Sequence, residues 1–284
     1  MPLPMFNADL HCHSHVSDGL LSPAAVAARA HANGVELFAL TDHDDVAGLA
    51  EARQSARAAG MDFIDGVEIS VTWRAATVHI VGLGVDPAHP DLRAGLAQIR
   101  AGRGERARKI AADLHRVGIP EALQGALSHA HNPELVGRTH FARHIVNSGR
   151  AKDIRSVFRH YLVKGKPGYV SHEWASLAQA VGWIRAAAGC AVLAHPARYE
   201  LSRPALQALL QEFKALGGAA LEVVAGSHTP DQSARFARLA AEWGLLASCG
   251  SDFHAPGEGG REVGRLAPLP PGCEPVWRLW REAP

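Results

Sequence analysis

An α/β barrel is the fold class this sequence predicts, and three observations carry it. Short apolar runs alternate with helical stretches along the chain, as they do in successive βα units. The length of 284 residues suits a single barrel, a one-domain class that routinely exceeds ~200 residues. Finally, clusters of polar residues follow the apolar runs, and barrels build their sites on the face formed by the carboxyl ends of the strands.

Taken in chain order, the apolar runs predict seven strands: Met5–Leu10, Val35–Leu40, Met61–Val67, Thr77–Val85, Ala191–Ala194, Ala219–Val224 and Leu245–Ser248. The helices between them carry boundary signals. Ser22-Pro23 reads as N-cap and first helical residue, with Gly34 closing that helix. Gly60 closes the helix expected over Asp45–Ala59. From about Gly102 to Gly168 the rhythm breaks: no strand is expected, while Arg, Lys and His are dense and helical patterns continue. That stretch reads as a helical insertion, residues 102–168, within a barrel domain made of 1–101 and 169–284. Its opening, Arg100 to Lys109, is the most basic run of the chain, and by itself a charge run reads as a solvated helix face. A Pro-rich segment, 268–275, leads to an amphipathic piece whose Trp277 and Trp280 are expected to pack onto the barrel.

Composition excludes several classes. A formal net charge of +1 gives no global basic field of the kind that drives non-specific nucleic-acid binding. With 47% hydrophobic and 20% charged residues the chain lies far from the disordered regime. No apolar run of about 18 residues occurs, and Met1 to Phe6 lacks a basic region followed by an apolar one, so neither membrane insertion nor export is expected. Cys12, Cys190, Cys249 and Cys273 show no paired spacing, which argues for free thiols in a reducing cytoplasm.

The 17 His are the unusual feature, because several stand beside carboxylates just after predicted strands. Strand one runs into Asp9-Leu-His11-Cys-His13, with Asp18 beyond; strand two into Thr41-Asp-His43-Asp44; strand three into Glu68. Strand four carries His79, strand five ends in Ala194-His195-Pro196, and strand seven ends in Ser251-Asp252-Phe-His254. Alternate residues of a strand project to one side, so His11 with His13, and Asp252 with His254, can grip one ion. Singly, each His reads as a hydrogen-bonded barrel residue. Six clusters converging on one face leave imidazoles and carboxylates that cations would have to satisfy. The expected ligands are His11, His13, Asp18, His43, Glu68, His79, His195, Asp252 and His254, too many for one ion and enough for two or three. A mixed nitrogen and oxygen shell without Cys suits Mn²⁺, Fe²⁺ or Zn²⁺ better than Mg²⁺, and Mn²⁺ is the leading expectation.

In their order and spacing these motifs, over residues 9 to 254, resemble those of the PHP (polymerase and histidinol phosphatase) phosphoesterases. The resemblance implies a distorted (βα)₇ TIM-like barrel with a trinuclear metal site that hydrolyses phosphate esters. It implies His11, His13, Glu68 and Asp252 on one metal, Glu68, His79 and His195 on a second, and Asp18, His43 and His254 on the third. Within the family, the insertion together with Gly137 to Arg143 and Lys166 to Trp174 looks most like a stand-alone branch acting on nucleotides. That branch removes the 3′-phosphate of 3′,5′-nucleoside bisphosphates, giving the 5′-monophosphate, and trims short RNA from the 5′ end. A histidinol-phosphate phosphatase and a 5′–3′ exonuclease are the enzymatic alternatives, and a metal-free PHP scaffold the non-enzymatic one.

The chemistry expected is attack by a metal-bridging hydroxide, with Asp44 orienting the substrate or protonating the leaving ribose oxygen, or else holding His43 in one tautomer. A second phosphate needs cations away from the metals, and Arg103, Arg106, Arg138, His140 and Arg143 are the candidates. Asn132 and Glu134 are candidate base or ribose contacts. Glu222, ending strand six, points toward the site. The expected partners are a small nucleotide and short RNA ends, without a membrane or a protein partner.

Overall fold

The computed structural model describes residues 6–258 and 261–281. Met5, expected to open strand one, and most of the segment read for export signals lie outside the described residues.

The order of elements is β1 (Ala8–Asp9), α1 (Pro23–Ala32), β2 (Leu37–Leu40), α2 (Leu49–Ala58), β3 (Asp62–Trp73), β4 (Ala76–Leu83), α3 (Pro90–Ala101), α4 (Arg103–Arg116), α5 (Ala122–Ser128), α6 (Arg138–Asn147), α7 (Ile154–Val157), α8 (Leu177–Ala186), β5 (Cys190–Leu193), α9 (Arg203–Ala215), β6 (Ala220–Ala225), α10 (Pro230–Trp243) and β7 (Leu246–Gly250). A π-helical turn, Phe158–Leu162, continues α7. Local signals act as physics requires. Ser22 caps α1 by accepting from the Ala25 N–H, and the chain leaves that helix through Gly34 at φ +79°, a conformation that favours glycine.

The seven strands form one sheet in sequence order. It closes where the continuation of β1 meets β7: Leu10 N–H donates to the Cys249 carbonyl (3.0 Å) and His13 N–H to that of Phe253 (2.8 Å). The distortion lies in β4, which runs antiparallel to both β3 and β5. Only Arg74 and Ala75 separate β3 from β4, and so short a connection permits a hairpin and no crossover. Arg74 takes φ 52° to make the turn.

This corrects two expectations. His79 lies within β4 rather than at a strand's carboxyl end, and it reaches the mouth because β4 starts there. Likewise the insertion does not leave from strand four at the catalytic end: β4 finishes with Leu83 paired to Cys190, the first residue of β5. Helix α3 carries the chain back, and in its last turn Arg100 donates to the Asp44 carbonyl (2.7 Å) beyond β2. Segment 102–168 therefore starts beside the carboxyl ends of the parallel strands. It is helical and builds its own apolar core around Ile110, Leu114, Phe141, Ile145, Val157 and Leu162. Of the two C-terminal tryptophans, Trp277 packs against the main core and Phe6 (5.6 Å), whereas Trp280 stays 39% exposed. No helix of the described residues is long and apolar enough to cross a membrane.

Candidate metal centre

The strand ends assemble the centre one after another. Past β1 the chain must turn sharply to bring Asp18 back over His13, and Asp42 makes that turn. Its carboxylate accepts from the Ser14 N–H (2.8 Å), the Ser14 hydroxyl (2.6 Å) and the Ser17 hydroxyl (2.6 Å). Asp44, His195 and Asp252 each hold positive φ (52°, 24° and 54°), uncommon for residues with a Cβ, so the chain bends hard at three points around the mouth.

Glu68, on β3 and fully buried, is the hub. Its Oε2 lies 3.3 Å from His11 Nε2, 3.3 Å from His13 Nε2 and 2.8 Å from His43 Nδ1. Its Oε1 lies 2.8 Å from His79 Nδ1 and 3.0 Å from His195 Nε2. Asp252 Oδ1 is 3.1 Å from His13 Nε2, and Asp18 Oδ1 is 3.3 Å from His254 Nε2 and 3.9 Å from His43 Nε2. All nine expected ligands are thus brought together. Three sets lie close enough to hold an ion: His11, His13, Glu68 and Asp252; His13, Asp18, His43 and His254; and His43, Glu68 and His79. The first set matches the expected grouping. The others differ in sharing His13 and His43 between neighbouring sets and in leaving His195 to Glu68 alone.

The donor chemistry fits divalent ions. Burial lowers the His13 pKa to about 3, helped by His254 and His43, and burial lowers His79 to about 4 despite Glu68. Both rings are therefore neutral and offer lone pairs. Yet His13 Nε2 stands 3.2 Å from His11 Nε2, Glu68 Oε2 and His43 Nδ1 face each other at 2.8 Å without the alignment of a hydrogen bond, and Asp18 Oδ1 is buried without one. His11 Nε2 and His13 Nε2 stand 3.2 Å apart and each lies 3.1–3.7 Å from Glu68 Oε2 and Asp252 Oδ1, close enough for one ion to reach such pairs at the usual ligand distance of ~2.0–2.2 Å.

Outer partners fix these rings. Glu222 accepts from His11 Nδ1 (2.9 Å) and from the His195 backbone N–H, and the Tyr199 hydroxyl accepts from the His79 N–H (2.8 Å) while donating to the Ala194 carbonyl (2.8 Å). Tyr199 and Arg198 escaped the sequence reading, which gave Asp42 no role beyond its place in the strand-two motif. Arg198 pairs with Asp252, and nothing in its local pattern marks it.

Asp44 is placed differently from the proton donor expected. It is fully buried and accepts from the Ser70 N–H (2.8 Å), the Ser70 hydroxyl (2.9 Å) and Arg103, so both oxygens of its carboxylate are engaged, and the His43 ring is held by Glu68 instead. Arg103 also lies over the Trp174 ring at 4.7 Å, and Arg106 over the same ring at 5.2 Å. Arg106 donates to the Val170 carbonyl (3.3 Å) and Arg138 to that of Leu162 (3.3 Å); neither has a carboxylate partner among the described residues. Burial, then Arg138 and Arg103, push the Arg106 guanidinium down to about 9, and burial with Arg198 lowers Arg138. Uncompensated cations of this kind, Arg106 buried and Arg138 half-buried, favour an anion.

The remaining candidates divide. Arg143 is committed to Glu258 through two bonds of 2.7 and 2.6 Å, which removes it as a free phosphate anchor. His140 is buried and lowered to about 4, chiefly by burial, and its Nδ1 accepts from the Gly137 N–H (3.0 Å). Asn132 spends its side-chain oxygen on the Glu134 N–H (3.0 Å), and Glu134 is exposed, 3.8 Å from Arg100.

Comparison with known proteins agrees with this geometry. The chain is 56% identical over 274 residues to a 3′,5′-nucleoside bisphosphate phosphatase of Chromobacterium violaceum, covering 96% of each chain. It is 42% identical to a 5′-3′ exoribonuclease of Haemophilus influenzae, covering 95% of this chain and 97% of the relative. A solved structure from C. violaceum, described as an amidohydrolase with bound sulfate and no metal, superposes with a TM-score of 0.94 at 55% identity, over 96% of this chain and 95% of the other. A presumptive metal-dependent phosphoesterase of Bifidobacterium adolescentis superposes with a TM-score of 0.81 at 26% identity, over 97% and 95%. The PHP domain itself matches residues 9–223, which includes seven of the nine candidate ligands, and the chain belongs to the PHP domain family.

Proposed function

We propose that this protein is a metal-dependent phosphoesterase that removes the 3′-phosphate of 3′,5′-nucleoside bisphosphates, yielding the 5′-monophosphate and phosphate. The observation that carries the reading is the pair Arg106, buried, and Arg138, half-buried and within the field of Asp18, two cations without carboxylate partners among the described residues. Histidinol phosphate carries an amine, for which such a pocket is the wrong sign, and a scaffold has no use for unpartnered buried imidazoles.

Glu68, with His11, His13, Asp18, His43, His79, His195, Asp252 and His254, would hold two or three divalent ions, Mn²⁺ first, with Fe²⁺ or Zn²⁺ as alternatives. Such ions, when bound, neutralise phosphoryl charge and lower the pKa of water. The chain's own groups do the rest. Glu222 holds His11 and the His195 backbone in place, Arg106 and Arg138 take the non-reacting phosphate, and Asp44 keeps Arg103 aimed across Trp174. His140, neutral, serves as a hydrogen-bonding group rather than a counter-charge. Segment 102–168 acts as the cap that closes this pocket. Asn132 and Glu134 are the candidate contacts for the nucleoside. The four free cysteines suit a reducing cytoplasm.

The test is phosphate release from the Mn²⁺-loaded protein over a panel of phosphate esters. Adenosine 3′,5′-bisphosphate should be turned over with kcat/KM at least ~100-fold above the 3′-monophosphate, because lost contacts to the second phosphate amount to about 2.7 kcal/mol. Chelation should abolish turnover. Equal values for the two nucleotides, or faster turnover of histidinol phosphate, would overturn the reading. Similarity to an exoribonuclease supports a second substrate for the same site, the 5′ end of a short RNA.

A further inference from the structure

Charge is nearly balanced over the chain but not over the outer face of the 102–168 segment. Residues 150–166 hold six cations, Arg150, Lys152, Arg155, Arg159, Lys164 and Lys166, against one carboxylate, Asp153, in a protein of net charge +1. All six cations are exposed. Asp153 is occupied: it caps α7 by accepting from the Ser156 N–H (2.7 Å) and lies 3.8 Å from Lys152 Nζ. Arg150, Arg155, Arg159, Lys164 and Lys166 have no ion-pair partner among the described residues. Lys152, just before the cap of α7, and Arg155 and Arg159, one turn apart, line one open depression of about 350 Å³ together with Asp153 and Ser156.

The patch is joined to the centre. Its helical turn ends at Leu162, whose carbonyl accepts from Arg138, and Arg138 lies within the field of Asp18 and Arg198 at the metal mouth. Cations thus continue from the anion pocket to Lys164 and Lys166 just past Leu162 and on to the outer face. We propose that this ridge holds the phosphodiester backbone of a single-stranded RNA whose 5′ end occupies the metal centre, so that RNA reaching beyond the catalytic pocket gains contacts that a free nucleotide does not make. The proposal rests on the phosphoesterase reading. An anionic membrane is the weaker fit, since Val163 is the one exposed large apolar residue of the ridge, whereas interfacial helices bury an apolar face.

The test compares the full-length protein with a Lys152→Glu/Arg155→Glu/Arg159→Glu variant. None of these residues belongs to the centre or to its anion pocket, so turnover of adenosine 3′,5′-bisphosphate should stay within about twofold, which also reports folding. For a 5′-phosphorylated ten-nucleotide RNA, KM should rise at least ~10-fold with kcat at saturation kept, while a dinucleotide is unaffected. Binding of a fluorescein-labelled single-stranded RNA, followed by anisotropy without turnover, should weaken equally. Its salt dependence, about −0.7 per phosphate contact for single strands, should become shallower by about 2. Lysine in place of the two arginines should restore binding.

Unchanged RNA affinity in the charge-reversed variant would overturn the proposal, as would tighter binding of wild type to phosphatidylserine vesicles than to RNA. Loss of bisphosphate turnover in wild type with RNA binding intact would instead sink the catalytic reading and leave the ridge standing.

Discussion

At the scale of single residues, two neighbouring carboxylates of the mouth take different partners. Glu68 faces five imidazoles, whereas Asp44, one residue past His43, turns away to neutralise Arg103. Arg103 is 7% exposed and Asp44 fully buried, so the pair is worth more intact than its members are alone. Asp44→Asn should strand the guanidinium and cost about 3–5 kcal/mol, read as a lowered denaturation midpoint. A double variant, Asp44→Asn with Arg103→Met, should regain most of that stability while remaining at least ~10-fold impaired in kcat/KM, because Arg103 no longer reaches across Trp174. Full activity in the double variant would remove both residues from substrate positioning. The nine ligand candidates were legible in the sequence because each stands next to an apolar run. Arg198 was not, since its partner lies 54 residues away and nothing local announces it, and the turn-making role of Asp42 was not, since its partners lie 25–28 residues away.

At the scale of elements, caps and strand cores were legible, while one strand's direction was not. Ser22, Gly34 and Gly60 act locally, so their signals survive whatever packs around them. Direction belongs to the connection between strands. Residues 68–73 alternate Glu, Ser and Thr with Ile, Val and Trp, so a search for continuous apolar runs ends β3 at Val67 and hides the two-residue hairpin. The alternation exists because the polar side of β3 lines the mouth. Strands that carry ligands also need close backbone neighbours, and Gly250 at the end of β7 provides one. A Cβ there would stand 2.1 Å from the His11 Cβ and 2.7 Å from Glu222 Oε1. Gly250→Ala should therefore displace His11, destabilising the protein by about 1–3 kcal/mol and lowering bound metal by about one equivalent on elemental analysis. Wild-type metal content would mean that β7 yields without disturbing His11.

At the scale of the whole molecule, the apolar core of segment 102–168 is separate from the cores of the barrel, so polar contacts decide how the two act together. The strongest candidate is Arg143 on α6 against Glu258. Arg143 is 3% exposed and bound through Nε and one terminal nitrogen, Nη2, and Glu258 follows the chain that has just supplied Asp252 and His254. A bidentate pair of this kind fixes orientation as well as distance. Glu258→Gln keeps one acceptor oxygen but removes the charge, leaving Arg143 buried and uncompensated. The barrel core is untouched by that change, so the loss falls on docking. KM for the bisphosphate should rise at least ~10-fold, equivalent to about 1.4 kcal/mol, and limited proteolysis within 102–168 should quicken. Metal affinity should hold within about threefold, because Glu258 touches none of the nine ligands. The opposite split, weakened metal binding with KM unchanged, would place Glu258 in support of the Asp252–His254 segment alone, and the bisphosphate pocket would then owe nothing to this tie.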